Sequence, residues 1–442
     1  MEQEHFEALY PDTARFSDIE KLASFIKSGT SAQLISIPGA GRSTVLGLLA
    51  NNPKVRIKHF GKNSNIHFVL VNFAEVRKRP LFDTMKFLFL SMSDSLRARK
   101  MEEYGKINSL FRESLGFKDE LVLFQAFKEA IDYLTLEKKQ QIVFLFDRFE
   151  EYVPDVTSAF FTNLRTLRTR AKYQFSVVFS LNRSLETLLE PILLSDFYEF
   201  IAGHYVYLNL QDSVTTEFRV SYLERITKRK ISPVLLSEIV KETGGVGRLI
   251  KLSVEILLSE KQKPDAKNLS SYLISQKLIQ SALSEICSSL LPSEQSCLIR
   301  NKFEDKSIED YLETVGLLKN RKIEIPLFDK HIKAHASAGW GDTKKIVYDE
   351  SSNTIKSGDV ILSDQLTSSE FRLLRFLLQN TERIIERNEI ISATWSDLKS
   401  TAGITDQAVD QLIFRLRRKI EENTNNPKHL LTVKGRGFRF IA

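Results

Sequence analysis

The sequence predicts a multidomain chain: an α/β unit with a parallel sheet, a helical segment, a small helical unit, and a C-terminal helical unit closed by a β-hairpin. Three observations carry that expectation. The chain has 442 residues, about three times the length of a typical domain. Roughly the first two hundred residues alternate short apolar runs with longer amphipathic stretches, the pattern of a parallel sheet covered by helices. The last twelve or so residues form two alternating runs around Lys434-Gly435-Arg436-Gly437, the pattern of a hairpin.

In order along the chain, Leu34–Ile37, Phe68–Phe73, Ile142–Phe146 and Phe175–Leu181 are compact apolar segments suited to buried strands. Asp119–Leu136 and Val156–Lys172 carry helical periodicity between them. From Gln211 to Glu260 the chain reads as helices broken at Thr243-Gly244-Gly245, and Lys261–Lys267, with Pro264, reads as a connector. Residues 270–335 read mostly helical and close on a short strand, Lys322–Pro326. Gly339-Trp340-Gly341-Asp342 then punctuates the chain. The expected divisions are an α/β domain at 1–205, a helical lid at 206–265, a linker domain at 266–340 and a last domain at 344–442.

Composition removes several classes. Apolar residues make up 42% of the chain and charged residues 27%, enough apolar material for real cores. The N-terminus, Met1-Glu2-Gln3-Glu4-His5, lacks the basic region and apolar run of a signal peptide, and the apolar runs are too short to span a bilayer. Cys287 and Cys297 make neither a disulfide framework nor a zinc set. A cytoplasmic protein with no membrane partner is expected.

Charge is informative in its distribution. The chain carries 63 Lys plus Arg against 56 Asp plus Glu, a net +7. From Arg415 to the end there are eight basic and two acidic residues, a local +6. The same region has clear helix signals. Thr367 and Glu370 form a capping box, with Leu366 and Phe371 beside it. A second helix starts at Thr405-Asp406 and buries Val409, Ile413, Leu416 and Ile420 along one stripe. Beside that stripe lie Gln407, Asp410, Gln411, Phe414, Arg415, Arg417, Arg418 and Lys419, types suited to base edges and phosphates. The helix should stop before Asn425-Asn426-Pro427. The following hairpin presents Thr432, Lys434, Arg436 and Arg439.

These blocks, with Trp395, Ala408-Val409-Asp410 and Thr432-Val433-Lys434-Gly435-Arg436-Gly437-Phe438-Arg439, resemble an OmpR/PhoB-type winged-helix output domain over residues 344–442. The resemblance implies a short N-terminal antiparallel sheet at 346–362, a recognition helix at 405–421 and a wing at 430–441 that enters the minor groove of double-stranded DNA. It also implies that residues 395–404 form a loop that can meet RNA polymerase. No phosphoacceptor receiver pattern is visible at the N-terminus, so a phosphorylated-aspartate switch is not expected here.

Near the other end, Ser36-Ile37-Pro38-Gly39-Ala40-Gly41-Arg42-Ser43-Thr44 follows an apolar run and precedes the helical Val45–Ala50. A phosphate-binding loop needs that context: backbone amides around the phosphates, a cation, and a hydroxyl for magnesium. Ser36 stands where the G-x-x-x-x-G-K-[ST] pattern has its first glycine, and Arg42 where it has lysine. A planar guanidinium does not substitute for a compact ammonium, so ATP binding is expected and rapid hydrolysis is not. Ile142–Phe146 runs into Asp147, a magnesium partner together with Ser43, with Arg148 where a second acid commonly stands. Glu150 and Glu151 are candidates to orient water, or members of a solvated turn.

Pro38-Gly39, the Asn182-Arg183 pair after the fourth apolar run, and Thr243-Gly244-Gly245-Val246-Gly247-Arg248 together resemble an AAA+/STAND P-loop ATPase over residues 15–260. That resemblance implies ATP and Mg as cofactors and places Arg248 as a sensor-like residue. Residues 266–340 read as helical or degenerate winged-helix, without a basic face. Two functions stay open: a transcription regulator whose nucleotide module is a switch or scaffold, and an ATPase of origin-recognition/STAND type that uses the winged helix as a DNA anchor. Assembly into homo-oligomers fits either.

Overall fold

The computed structural model describes residues 5–260, 264–336, 345–358, 360–395, 404–424 and 426–441. The chain divides into two compact units, Met1–Leu269 and Ser270–Ala442.

In the first unit five strands, β1 (Ala32–Ile35), β2 (Ile66–Asn72), β3 (Gln141–Asp147), β4 (Phe175–Leu181) and β5 (Tyr205–Tyr207), form one parallel sheet in the order β2-β3-β4-β1-β5. Strands β1 and β4 are buried at every position, which is why they read as unbroken apolar runs rather than alternating ones. Strand β5 is only Tyr-Val-Tyr, too short to leave a periodic signal, and the sequence did not reveal it. One face of the sheet packs on an aromatic cluster in which Phe73, Phe146, Phe149, Phe160 and Phe179 meet mostly edge to face.

Between β2 and β3 the crossover is enlarged by three helices, Leu81–Ala98, Tyr104–Ser114 and Glu120–Asp132. After the sheet come the helices Ser213–Thr227, Pro233–Glu242 and Gly247–Ser259, broken where Thr243-Gly244-Gly245 predicted. Among the described residues no helix is long and apolar enough to cross a membrane.

A short helix, Leu269–Ile274, leads into helices Lys277–Ser288, Pro292–Arg300 and Lys306–Thr314, followed by an antiparallel hairpin of β6 (Leu318–Lys319) and β7 (Lys322–Ile323). Three helices then a hairpin is winged-helix order. The third helix, however, carries Glu309, Asp310 and Glu313, and the hairpin's Arg321 is paired to Glu309. An antiparallel sheet of β8 (Ile346–Asp349), β9 (Thr354–Ser357) and β10 (Val360–Ile361) follows, where 346–362 was expected.

Helices Ser368–Gln379, Arg387–Thr394 and Asp406–Ile420 then pack over a second sheet. Its order is β11 (Ile384–Ile385), β13 (Gly437–Phe440), β12 (Leu430–Val433). Val409, Leu412, Ile413 and Leu416 meet Leu373, Leu374 and Phe438 in one core. The two-residue β11 was not legible in the sequence. Residues 396–403, most of the segment expected to meet RNA polymerase, lie outside the described residues.

Candidate nucleic-acid interface and phosphate loop

The C-terminal interface is built on the helix Asp406–Ile420. Thr405 caps it, its Oγ1 accepting from the Ala408 amide at 3.3 Å, as the sequence implies. The preceding long helix is fixed by the predicted capping box: the Glu370 amide donates to Thr367 Oγ1, and the Thr367 amide donates to Glu370 Oε2 at 2.8 Å. Glu370 does more than cap. Its fully buried carboxylate also receives Lys419 Nζ at 2.6 Å and lies 3.5 Å from Arg415 Nε.

This arrangement corrects the expected contact set. Arg415 is turned inward, with its side chain only 13% exposed, because a buried carboxylate without a cation is costly. Lys419 is buried on the same partner. Arg417 is committed as well: its Nε donates to the Leu430 carbonyl at 2.9 Å and its Nη2 to Thr432 Oγ1 at 2.7 Å, tying helix to hairpin. Of the three, none is held out toward a groove.

What the helix does expose is Gln407, Asp410, Gln411 and Phe414, with Arg418 partly exposed one turn on. Asp410 is neutralised by Arg387 Nη2 at 2.7 Å, from the neighbouring helix. The hairpin exposes Lys434 and Arg436 at its turn, with Arg439 half-buried on β13. Gly437 is needed there: its φ is 129°, and a Cβ would collide with the Ile385 carbonyl of β11. Glu421, which the sequence gave no reason to single out, accepts from the amides of Lys428, His429 and Leu430 at 2.7–2.9 Å and clamps the entry to β12 against the helix end.

A capped helix with a polar outer face, a helix crossing before it and a basic hairpin behind it is the frame of a winged helix. Residues 364–440 match the family model described as "Transcriptional regulatory protein, C terminal". This segment is an OmpR/PhoB-type winged helix. It is 39% identical over 74 residues to the sensory transduction protein RegX3 of Mycolicibacterium smegmatis, covering 17% of this chain and 31% of that protein. The winged helix is also 32% identical over 94 residues to the phosphate regulon transcriptional regulatory protein PhoB of Klebsiella pneumoniae, covering 21% of this chain and 38% of that protein. The chain thus spans about a third of the length of the curated relatives it matches. Among solved structures the chain is similar to the Walker-type ATPase paby2304 of Pyrococcus abyssi, at 14% identity and a TM-score of 0.41 over 80% of this chain and 95% of that one. The Aeropyrum pernix ORC1 protein in complex with DNA matches at 13% identity and a TM-score of 0.37, over 80% of this chain and 92% of that one.

In the first unit the loop Pro38–Gly41 links β1 to the helix Arg42–Asn51 at the carboxyl edge of the sheet. Ligands of open parallel sheets sit outside that edge. Ser43 Oγ donates to Asp147 Oδ1 at 3.0 Å, and Ser180 Oγ on β4 reaches the same oxygen at 3.3 Å, so a hydroxyl from the helix after β1 and one from β4 meet on the carboxylate that ends β3. Gly41 has φ 114°, and a Cβ there would press on the Arg15 guanidinium. Buried Arg15 donates to the Ala40 and Asn209 carbonyls, and its amide donates to Asp212 at the head of the helix Ser213–Thr227. Arg15 was not anticipated from the sequence. The Arg248 amide donates to the Gly39 carbonyl at 3.0 Å, so the first turn of the helix Gly247–Ser259 rests on the loop.

Glu150 is placed differently from the expectation that it orients water or sits in a solvated turn. Its Oε1 is 2.6 Å from Arg42 Nη2, with side-chain exposures of 18% and 11%. Burial pushes the Glu150 carboxyl above the usual range, and Arg42 pulls it back. Glu151 is paired with Arg77 at 2.6 Å, and Arg148 lies exposed beside it.

The loop fits a phosphate group in its backbone and only partly in its charge. A ten-residue helix begins at Arg42 with its first amides directed to the carboxyl edge, and Arg42 Nη1 is buried with no hydrogen-bond partner. Gly41, Arg42, Ser43 and Thr44 would hold the phosphates, and Ser43 with Asp147 would hold magnesium.

Proposed function

We propose that this chain is a DNA-binding transcription regulator. Its winged helix reads duplex DNA in the major groove through Gln407, Gln411, Phe414 and Arg418, and grips the backbone and minor groove through Lys434, Arg436 and Arg439. The observation that carries the proposal is the sorting of side chains on one helix. Its inner cations are consumed by Glu370 and by the hairpin, while its outer face presents amides, a ring and an arginine. Amides bind adenine edges, and arginine binds guanine or phosphate. Selection of binding sites from a random duplex pool with the full chain tests it; an enriched sequence is the expected result, and recovery of random sequence rejects it.

The first unit acts in this proposal as a nucleotide-responsive switch or scaffold, with ATP and magnesium at the loop. Contact with RNA polymerase, assembly of copies and a cytoplasmic location belong to the same proposal. The intact Ser43–Asp147 pair favours a second function, an origin-recognition/STAND-type ATPase anchored by the winged helix. Arg148 after Asp147 and the engagement of Arg42 by Glu150 weigh against turnover. Steady-state hydrolysis that DNA accelerates would favour the ATPase; nucleotide binding with negligible hydrolysis favours the regulator.

A further inference from the structure

Of the large apolar side chains exposed on the described part of the second unit, Phe414 alone is aromatic, and it is 54% exposed. A single exposed apolar residue is ordinary on a protein surface, so exposure decides nothing. Position does. Gln407, Gln411, Phe414 and Arg418 follow at i, i+4, i+7 and i+11, so the ring lies in line with two amides and a cation on the face opposite Val409, Leu412, Ile413 and Leu416. Asp410, beside this line, is tied to Arg387, and Asp305 lies near Arg418 at its end.

The major groove offers one apolar group, the C5-methyl of thymine; every other edge presents donors or acceptors. A phenyl ring can satisfy none of these, and covering one without a partner forfeits its hydrogen bond to water. We infer that Phe414 is a specificity-determining residue that packs on a thymine methyl in the major groove and disfavours any other base at that position. The inference rests on the DNA-reading function proposed above. It adds the chemical group recognised and the residue that recognises it. Flanking by Gln411 and Arg418 sets the thymine between a position read by an amide and one read by a guanidinium.

The test uses the full chain and a duplex selected from the random pool, with each thymine replaced in turn by deoxyuridine, which removes the methyl and nothing else. At one thymine of the selected site deoxyuridine should weaken binding by about three- to fivefold, the worth of one buried methyl. With Phe414→Ala the same replacement should have no effect, and Phe414→Leu should retain part of it. Replacing that thymine by cytosine should weaken wild-type binding, and 5-methylcytosine should restore a portion. Unchanged melting of Phe414→Ala confirms that the variant is folded; the exposed ring predicts this. Equal affinity for thymine and deoxyuridine at every position overturns the inference while leaving DNA reading intact. So does a deoxyuridine effect that persists in Phe414→Ala. A pool with no enriched sequence rejects the DNA-reading proposal itself and this inference with it.

Discussion

The phosphate loop and the winged helix solve the same electrostatic problem in different places. Each places a buried or half-buried carboxylate against arginine or lysine: Glu150 against Arg42, and Glu370 against Lys419 and Arg415. At the loop the neutralised cation is the one that would meet a ligand. On the helix the neutralised cations lie on the inner face, and on the wing Lys434 and Arg436 are exposed. A count of basic residues therefore overstates the loop as a phosphate site and misplaces the DNA contacts, while the position of one carboxylate decides which cations can work.

The largest expected effect comes from removing the helix's carboxylate. Glu370→Ala leaves Lys419 buried without its partner and breaks the capping box. It should destabilise the second unit by about 3–5 kcal/mol in chemical denaturation. Glu370→Gln keeps part of the cap and should cost less. A change below about 1 kcal/mol for Glu370→Ala would mean that solvent screens the ion pair, and the contrast with the loop would fail.

The first unit should respond to acid in a way the second does not require. His67 is buried; Arg99 Nη1 donates to its Nδ1 at 3.0 Å, so the ring is neutral and its Nε2–H faces Ser95 Oγ. Burial, with Arg99 and Arg56 nearby, lowers its pKa to about 3. The unfolded chain binds a proton near the ordinary histidine value of about 6.5, so stability is lost as pH falls from there toward 3. The slope should approach about 1.4 kcal/mol per pH unit for this one group. Melting of the His67→Gln variant should lose that part of the pH dependence; an unchanged profile would remove the assignment.

Contacts on the two faces of the helix should separate cleanly. Gln411→Ala should relax sequence preference by about 1–3 kcal/mol at one position. Arg415→Ala should change stability more than preference, because its side chain faces Glu370. Competition binding with selected and mutated sites measures both, and a larger loss of preference in Arg415→Ala would place that arginine in the groove.

Much of this was legible in the sequence because it is local. The capping box at Thr367 and Glu370, the cap at Thr405, four of the five parallel strands and the glycine break after Glu242 all follow from neighbours within a few residues. Gly437 and the hairpin were legible for the same reason. What sequence could not show were pairings between distant residues: Glu150 with Arg42, Glu370 with Arg415 and Lys419, Arg417 with the hairpin, and Arg15 beneath Gly41. Helical spacing places Arg415 next to the buried stripe but does not say whether a carboxylate waits there. Strands as short as β5 and β11 carry too few residues to show a period.

The smallest effect expected is at the loop. Glu150→Gln releases Arg42 and should tighten Mg–ATP binding roughly tenfold, near the worth of one charge-assisted hydrogen bond of about 1.5 kcal/mol. Lower pH should act in the same direction on the wild type, since protonating Glu150 frees Arg42. Calorimetry of the full chain measures it; weaker binding by Glu150→Gln than by the wild type would make Glu150 a contributor to the nucleotide site rather than its competitor.

The most direct measurement is the salt dependence of duplex binding by the full chain. With Arg415, Arg417 and Lys419 consumed internally and Lys428 paired with Glu422, four of the eight C-terminal cations are counted toward phosphates: Arg418, Lys434, Arg436 and Arg439. The log–log slope of affinity against salt should then be roughly −3 to −4. Lys434→Ala should reduce its magnitude by about 0.9, and Arg415→Ala should leave it unchanged. A slope near zero, or one that Arg415→Ala lowers as much as Lys434→Ala does, would contradict the division of cations between the two faces.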